Sequence, residues 1–396
     1  MTRKEFVRVC GLLGISLPFQ SAIASCSTDN SPDTNNKPPA SVLIIGAGPA
    51  GMAAGYLLAQ QGVNFQILEA NSTHGGRIKH NTKFSDFPIS MGGEWIHVAN
   101  TILPEIVNDS SVTISTQTQG YDDEDLVQFW DGNTLTNTTV GASDSGGDLK
   151  FVGSSWLGFF ETYILPSIQN NIIYNAPVTA IDYTSDQTVV TTANGQTYAA
   201  DKVIVAVPVK ILQNEAIMFT PSLPSDKQQA INEVLVWSGF KAFFKFTSKF
   251  YGAYLALFDS ETADGQRIYY DAAYAQNTSD NILGLFSVGL QAEQYQNLTG
   301  DAQRDYILNE LDTIFGNNLA SSSYIDHVVQ NWNAEPYAQA AYVRDQEDWR
   351  LVRTLGESVN NKLYFAGDAY TTGEDWSSVH TAARSARRAV NAIIEG

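Results

Sequence analysis

The sequence predicts an α/β fold in which a parallel sheet at the start of the chain is followed by a β-rich part. A short apolar run at residues 41–45 is followed by a helical pattern of small residues at 52–62 and a second apolar run at 63–68. Strand, helix and strand within about 30 residues form a βαβ unit, whose strands are parallel. Farther along, short apolar runs bounded by turn residues indicate more strands.

The later elements follow from the same reasoning. Residues 189–192 and 196–198 flank Asn194-Gly195, a sequence typical of a hairpin turn. The remaining predicted elements are buried strands at 203–207 and 362–366, a strand of another sheet at 239–246, and a helix from about 378 to 394.

Size and charge exclude some classes of function. The chain has 396 residues, 43% of them hydrophobic, which suffices for a large core. There are 23 Lys and Arg against 42 Asp and Glu, a formal net charge of −19. Such a surface repels nucleic-acid phosphates, so we expect no nucleic-acid partner, and it favours cationic ligands without excluding neutral ones.

The first 25 residues predict a signal peptide. Arg3, Lys4 and Arg8 precede an apolar stretch that ends in small residues before Cys26. The junction resembles a bacterial lipobox, which implies a lipid on Cys26; an ordinary secretory signal with an incidental cysteine is the alternative. We therefore expect an exported, periplasmic or cell-envelope protein, with the Sec and twin-arginine routes both open.

Residues 26–40 consist of Ser, Thr, Asp, Asn, Pro and Lys with almost nothing to bury, and are predicted to form a flexible tether. No later apolar run approaches the ~20 residues of a membrane span. Membrane attachment is therefore expected only through the lipid on Cys26.

A glycine motif opens the predicted βαβ unit. Gly46, Gly48 and Gly51 form a G-x-G-x-x-G directly after the first strand, and Glu69 ends the second strand. The glycines permit a tight turn, close approach of a pyrophosphate and close helix–strand packing, while the acid can bind ribose hydroxyls. Because strand, motif, helix and acid occur together, they predict a dinucleotide site.

Two further elements favour FAD over NAD. Gly75, Gly76 and Arg77 form a second glycine loop that fits the other phosphate of FAD, and Gly367-Asp368 supplies a carboxylate near the C-terminus for the ribityl or pyrophosphate region. Together with the first motif, these elements resemble the glutathione-reductase-like FAD fold of the flavin-containing amine oxidases. The resemblance covers residues 41–396.

Further segments match that family. Residues 177–181 resemble the strand in which the Val178 backbone would hold adenine, and 201–208 resemble the next crossover strand. Residues 332–342, beginning with Trp332, resemble the W-x-x-E-P…Y segment beside the flavin. The resemblance implies FAD as cofactor.

The sequence also departs from the family pattern. Thr73 stands where Arg is usual before the second glycine loop, and Ala340 stands where Gly is usual. These departures bear on cofactor affinity rather than on its identity.

The resemblance implies two domains. A discontinuous FAD-binding Rossmann domain would comprise residues 41–84, 170–214 and 325–396. An inserted α+β substrate-binding domain would comprise 85–169 and 215–324.

Lys241 follows Gly239-Phe240 and matches the family lysine that holds a water at flavin N5. There it would position water for imine hydrolysis or oxygen for flavin reoxidation. Alternation offers another interpretation, in which Lys241, Phe243 and Lys245 share one solvated strand face.

Residues 92–97 resemble the W-I-H segment of polyamine oxidases. The resemblance implies that Gly93 and Trp95 contribute to the cofactor site and that His97 lies near the substrate, although a lone His is more often structural. The five histidines show no metal-ligand spacing, so no metal is expected.

The same segment bears on substrate class. L-Amino-acid oxidases, the main alternative within the fold, present Arg at the position of Trp95, and Glu94 would repel a carboxylate. Glu94 is therefore predicted to face the pocket and favour a cationic substrate.

Residues 377–382 resemble the T-V-H-G-A helix start of polyamine oxidases and histone-lysine demethylases. The resemblance places the Val379 backbone N–H at the flavin, where the helix N-terminus stabilises negative charge. A simple helix cap by Ser377 or Ser378 is compatible with this.

The family's tyrosine cage is half present. Tyr342, ten residues after Trp332, aligns with the first cage tyrosine, whereas Ser378 aligns with the second. Ala341 occupies the position where monoamine oxidases link flavin through Cys, so we expect non-covalent FAD and an open pocket for longer amines.

The resemblance thus implies an FAD-dependent oxidase of polyamines or other extended amines. Hydride would pass from the amine α-carbon to flavin N5, water would hydrolyse the imine to an aldehyde, and O2 would be reduced to H2O2. The alternatives are an L-amino-acid oxidase and a non-catalytic FAD-binding lipoprotein.

Overall fold

The computed structural model describes residues 41–143, 147–344, 349–371 and 377–396. The predicted signal peptide and tether at residues 1–40 lie outside these ranges. The strands are β1 (Val42–Ile45), β2 (Phe65–Leu68), β3 (His80–Asn81), β4 (Ile89–Ser90), β5 (Gln117–Gly120), β6 (Leu126–Trp130), β7 (Leu135–Thr139), β8 (Leu149–Val152), β9 (Ile172–Ile173), β10 (Val178–Asp182), β11 (Thr188–Thr192), β12 (Thr197–Ala200), β13 (Lys202–Val205), β14 (Met218–Thr220), β15 (Gly239–Phe246), β16 (Tyr254–Thr262), β17 (Gly265–Asp271), β18 (Asn281–Gly289), β19 (Tyr324–Asn331) and β20 (Leu363–Phe365).

The α-helices are α1 (Pro49–Gln60), α2 (Ile102–Val107), α3 (Val140–Ser143), α4 (Trp156–Tyr163), α5 (Val209–Gln213), α6 (Ser225–Glu233), α7 (Leu290–Gln296), α8 (Gly300–Phe315), α9 (Leu319–Ser323), α10 (Trp349–Gly356) and α11 (Val379–Glu395). Short 3₁₀ turns occur at Gly76–Ile78, Leu165–Ser167, Gln169–Asn171 and Trp332–Ala334. No helix within the described ranges is long and apolar enough to cross a bilayer.

A five-stranded parallel sheet carries the predicted βαβ unit. Its order is β20-β13-β1-β2-β9, and every neighbouring pair is parallel. In β1, Val42 and Ile44 pack into one core, whereas Leu43 and Ile45 pack into another on the opposite face. Burial on both faces explains why this strand is continuously apolar, and it confirms the predicted α/β class.

Helices α1 and α11 pack together in the core on one face of this sheet. The buried face of α11 includes four alanines: Ala382, Ala383, Ala386 and Ala389. Small side chains let the two helices approach closely, and this places the N-terminus of α11 beside the sheet that also carries the glycine loop.

A second sheet contains the predicted hairpin. Its order is β12-β11-β10-β14; β11 pairs antiparallel with β12 and β10, and β10 pairs parallel with β14. Gly195 in the hairpin turn has φ +81°, a conformation that favours glycine.

The third large sheet has seven strands in the order β19-β15-β18-β17-β16-β6-β7. All neighbours are antiparallel except β6 and β16, which are parallel. Along β15, Phe240, Ala242 and Phe244 pack into a core with α8, whereas Phe243 packs into the core on the other face. Lys241 shares the face of Phe243 because strand side chains alternate.

Two strands pair outside the domain to which their predicted ranges allot them. The range 325–396 puts β19 in the FAD domain, but β19 pairs with β15 in the seven-stranded sheet. The range 215–324 puts β14 in the substrate domain, but β14 pairs with β10. The reason is physical: an apolar alternating run predicts that a strand exists, but long-range pairing decides which sheet it joins.

Candidate cofactor and active site

The glycine loop after β1 has the shape that a dinucleotide requires. A Cβ on Gly51 would lie 1.9 Å from the Gly46 carbonyl oxygen, and a Cβ on Gly46, at φ +103°, would lie 2.7 Å from the Ala206 oxygen. A Cβ on Gly48 would meet nothing within 4 Å. Two glycines therefore permit close packing, while the third borders open space at the N-terminus of α1, where a pyrophosphate fits.

Glu69 lies beside this loop at the end of β2 and is buried. Its Oε2 accepts from the Ala47 backbone N–H at 2.6 Å, and its Oε1 accepts from the Asn71 backbone at 2.8 Å. The carboxylate thus holds the glycine loop, and its predicted bond to ribose stays a prediction.

The second glycine loop closes on the first. The Gly75 N–H donates to the Ala47 oxygen at 2.9 Å, and a Cβ on Gly76 would lie 3.3 Å from Gly48 Cα. Gly75 and Gly76 both have positive φ, +107° and +54°. Two motifs separated in sequence therefore border one space.

Arg77 and Asp368 meet across this site. The guanidinium donates to Asp368 Oδ1 at 2.5 Å and Oδ2 at 3.1 Å, and also to the Ala341 carbonyl. Gly367, which precedes Asp368, is held through its N–H by Ser385 Oγ at 2.8 Å. The sequence assigned Arg77 and Asp368 separately to the cofactor; the structure adds that they form a bidentate ion pair.

Trp332 and Val178 occupy buried positions. Trp332 Nε1 donates to the Met91 oxygen at 3.1 Å, and a Cβ on Gly92 would lie 2.8 Å from the Trp332 ring. Trp332 therefore packs directly on the Gly92-Gly93 turn, whereas Val178 begins β10.

The start of α11 faces the same turn. A Cβ on Gly93 would lie 3.0 Å from Val379 Cγ2, and the Gly93 N–H donates to the Arg77 oxygen at 3.0 Å. Ser378 is the N-cap of α11 but its side chain makes no capping bond. The buried Thr381 Oγ1 has no hydrogen-bond partner among the described residues. A helix N-terminus without a side-chain cap, with an unsatisfied hydroxyl in its first turn, suits an anionic group.

Lys241 is 3% exposed, so the solvated-face interpretation is wrong. Its Nζ donates to the Ser90 oxygen at 2.9 Å, the Gly92 oxygen at 3.2 Å and Glu94 Oε2 at 2.6 Å. These three acceptors match the three hydrogens of an ammonium group. The water at flavin N5 that the resemblance implies stays a prediction.

Glu94 lies between two ammonium groups. Its Oε1 is 3.4 Å from Lys150 Nζ, its Oε2 is 2.6 Å from Lys241 Nζ, and Tyr270 Oη donates to Oε2 at 2.5 Å. Burial alone would raise the pKa of the Glu94 carboxyl, but Lys241 and then Lys150 outweigh it and lower that pKa. Glu94 is therefore not the free pocket carboxylate expected from the sequence, because its charge is already compensated.

The charge on Lys241 depends on this carboxylate. Burial lowers the pKa of the Lys241 ammonium, Glu94 opposes that effect, and Lys150 acts in the same direction as burial. Sequence reasoning missed Lys150 and Tyr270. The available signal was a lysine within the short apolar strand β8, which by itself does not show its partner.

The side chains of His97 and Trp95, from the W-I-H segment, have separate partners. His97 Nδ1 is 2.9 Å from Asp148 Oδ1, and its side chain is partly exposed. Trp95 Nε1 donates to Tyr121 Oη at 3.4 Å, and its ring meets the Tyr270 ring edge-on with centroids 4.7 Å apart. His97 is thus in an ion-pairing geometry, and Trp95 links the buried charges to an aromatic cluster.

Tyr342, which aligns with the first cage tyrosine, has an aromatic neighbour other than the Ser378 position. The Tyr342 ring lies 5.8 Å from the Trp237 ring in an edge-on arrangement, while Ser378 and Ala341 are buried. In the described part of the chain, no group of three His, Cys, Asp or Glu is arranged to hold a metal ion.

The parallel sheet, the paired glycine loops and the open helix N-terminus define an FAD-binding protein of the α/β class. A model of flavin containing amine oxidoreductases matches residues 160–394, more than half of the chain, and the chain belongs to this family. A model of NAD(P)-binding Rossmann-like domains matches residues 44–109. The predicted family, oxidoreductase class and FAD cofactor are confirmed.

Individual proteins are similar to the chain at lower identity. Lysine-specific histone demethylase 1B of Mus musculus is 23% identical over 83% of this chain and 50% of its own length. Polyamine oxidase 2 of Arabidopsis thaliana is 30% identical over 49% of this chain and 39% of its own length. The chain therefore spans half or less of these two relatives.

Solved structures share the fold. A putrescine oxidase variant superposes with a TM-score of 0.74 at 16% identity, covering 89% of this chain and 98% of its own. Cyclohexylamine oxidase from Brevibacterium oxydans gives 0.74 at 16% identity, covering 90% and 99%.

Proposed function

We propose that this protein is an FAD-dependent oxidase of amines, with polyamines or other extended amines as substrates. The observation that carries the proposal is one continuous site in which the Gly48 loop, the Arg77–Asp368 pair and the N-terminus of α11 are linked by direct contacts. Relatives named as polyamine oxidases, and a fold shared with putrescine and cyclohexylamine oxidases, support amines as the substrate class.

Different parts of this site have different roles in binding the cofactor and in catalysis. The loop at Gly48 and the N-terminus of α1 bind the pyrophosphate, and the α11 N-terminus at Val379 stabilises negative charge at the other end. When bound, FAD would supply the acceptor for hydride from the amine α-carbon. Water would hydrolyse the resulting imine to an aldehyde and ammonia or an amine, and O2 would take two electrons from the reduced cofactor to give H2O2. Lys241 places its positive charge beside the Gly92-Gly93 turn, and it orients the reacting water or oxygen there once it exchanges one of its three present acceptors.

We infer that the substrate is an amine rather than an amino acid. A substrate carboxylate needs a cationic partner, and Trp95 occupies the position at which amino-acid oxidases present Arg. The net charge of −19 adds long-range attraction for cationic substrates. An FAD-binding protein without turnover is the remaining alternative.

A peroxide-release screen tests the proposal. Purified holoprotein is incubated with mono-, di- and polyamines and L-amino acids, and anaerobic bleaching of the flavin is followed in parallel. We expect bleaching and peroxide with di- or polyamines. Turnover with amino acids alone supports the amino-acid oxidase instead, and bleaching by no substrate supports a binding protein.

We also propose that FAD is held without a covalent bond, since Ala341 offers no linking atom. Acid precipitation should then release FAD into the supernatant. Flavin that stays in the pellet contradicts this.

Export and lipid attachment at Cys26 are part of the same proposal and rest on the signal-like residues 1–25. Cys26→Ala should move the protein from the membrane to the soluble fraction of cells. Unchanged fractionation contradicts lipid attachment.

A further inference from the structure

Three buried charged side chains form a continuous chain beside the proposed cofactor site. Lys150, Glu94 and Lys241 follow one another at 3.4 Å and 2.6 Å, and the Lys150 and Lys241 side chains are 3% and 4% exposed. We call these three residues the charge triad. With both lysines protonated the triad carries one net positive charge.

The triad is tied to the backbone at both ends. Lys150 Nζ donates to the oxygens of Asp271 at 2.9 Å and Ala272 at 3.1 Å, at the end of β17. At the other end Lys241 binds the carbonyls of Ser90 and Gly92. Lys150 is thereby fixed by two backbone acceptors, and its ion-pair partner is Glu94.

The Lys241 end leads directly to the cofactor site. Gly93 follows one of the carbonyls that Lys241 binds, and Gly93 packs on Val379 and donates to the Arg77 backbone. The Lys241 ammonium is therefore in direct contact with the turn that borders the α11 N-terminus.

We propose that Glu94 and Lys150 are positioning residues that hold the Lys241 ammonium, and its positive charge, in place beside the cofactor. Without Lys150, one oxygen of Glu94 loses its ammonium partner and the triad becomes neutral. This inference rests on the proposed function of Lys241, but Lys150 itself acts only through Glu94.

The effect should be strongest in the reaction of reduced flavin with O2. That reaction, FADH⁻ + O2 + H⁺ → FAD + H2O2, begins with negative charge building on oxygen, which a fixed cation stabilises. It can be measured after photoreduction of bound FAD, so it does not require the amine substrate to be known.

A small cavity of about 20 Å³ lies against the triad, and its polar lining residues are Ser90, Glu94, Lys150, Ser154 and Gln276. Polar lining lets water enter when Lys150 is shortened, which reduces the cost of the substitution. Lys150→Met is therefore a suitable test variant, and Lys150→Arg restores the charge.

The matched control is Lys227→Met. Lys227 is also 3% exposed, and its ammonium donates to three backbone carbonyls, of Thr354, Leu355 and Glu357. It has no contact with the triad among the described hydrogen bonds. The control thus measures the general effect of removing a buried lysine.

Holoprotein of each variant is photoreduced without oxygen and mixed with O2, and the reoxidation rate is recorded with the FAD content and melting temperature. We expect Lys150→Met to slow reoxidation at least fivefold at full FAD occupancy, Lys150→Arg to recover to within about twofold, and Lys227→Met to match the wild type. An unchanged rate in Lys150→Met, or no recovery with Arg, overturns the proposal.

If Lys150→Met does not fold, Tyr270→Phe tests the same positioning of Lys241 by Glu94. It removes one bond to Glu94 while keeping the ring, so reoxidation should slow about two- to threefold; an unchanged rate overturns the proposal. Failure of the wild type to oxidise any amine would refute the proposed function, yet leave this comparison of reoxidation rates fully readable.

Discussion

Two lysines, Lys241 and Lys227, are equally buried and held in different ways. Lys241 shares a carboxylate with a second ammonium and binds two backbone carbonyls. Lys227 binds backbone carbonyls at the C-terminal end of α10 and lies 3.9 Å over the Phe365 ring, without a carboxylate among its hydrogen-bond acceptors. The Lys241 ammonium is thus compensated by the negative charge of Glu94. The Lys227 ammonium is compensated by the dipoles of backbone carbonyls and by the face of an aromatic ring.

The two lysines therefore have different roles. The charge of Lys241 depends on a neighbouring carboxylate, whereas Lys227 connects two helices. Burial lowers the pKa of Lys227 to about 7, and its carbonyl partners connect α6 to α10. The state of Lys241 instead depends on Glu94, whose removal leaves two ammonium groups facing each other. The charge of Lys241 thus depends on a second titratable side chain, whereas that of Lys227 depends on backbone carbonyls.

Removing the carboxylate should have the largest effect on stability. Glu94→Gln leaves Lys150 and Lys241 uncompensated, and breaking a buried ion pair costs about 3–5 kcal/mol. We expect urea denaturation to show a loss of this size. Glu335→Gln is the control, because its partner Lys79 is half exposed and such a pair is worth about 0–1 kcal/mol. Equal losses in both variants would mean that the triad is not a buried, mutually dependent unit.

Removing the Lys241 ammonium should have the largest effect on turnover. Lys241→Met keeps the stem but frees the Ser90 and Gly92 carbonyls, and we expect peroxide production to fall by about 10², with FAD still bound because no phosphate contact changes. Lys245→Met, on the same strand and paired with Asp280 at 2.8 Å, is the control and should keep its activity within about twofold. Full activity in Lys241→Met would show that the lysine only supports the fold.

The smallest predicted effect is the contribution of Lys227 to the pH dependence of stability. An unfolded lysine keeps its proton to about 10.5, whereas the folded one releases it near 7. Between these values the unfolded state binds more protons, so wild-type stability should rise with pH relative to Lys227→Met, by up to about 1.4 kcal/mol per pH unit. Denaturation at pH 7, 8 and 9 measures the difference. Parallel curves for the two proteins would show that Lys227 keeps its ordinary pKa.

The fold was largely predictable because its signals are local. The strand before Gly46, the helix after Gly48 and the acid at Glu69 lie within one βαβ unit, and each contributes a pattern that can be recognised without the rest of the chain. The hairpin at Gly195 is recognisable for the same reason. The sheet to which β19 belongs was not predictable, since its partner β15 lies about 80 residues earlier in the chain.

The candidate site was predictable only in part. Arg77 and Asp368 were each assigned to the cofactor, but their mutual ion pair joins residues 291 positions apart. Glu94 was expected to meet a substrate, and the same charge instead meets Lys241 and Lys150. Residue type and family resemblance identify which side chains gather at a site, but not which of them neutralise one another.

By itself, the sequence determined the α/β class, the glycine loops and the family, because spacing along one strand or turn dictates local geometry. Only the tertiary structure decided which charged side chains pair with one another. Glu94 and Lys241 are 147 positions apart, and packing brings them within 2.6 Å where their side chains are only 8% and 4% exposed. Burial makes such a contact energetically decisive, because two charges removed from water must compensate each other.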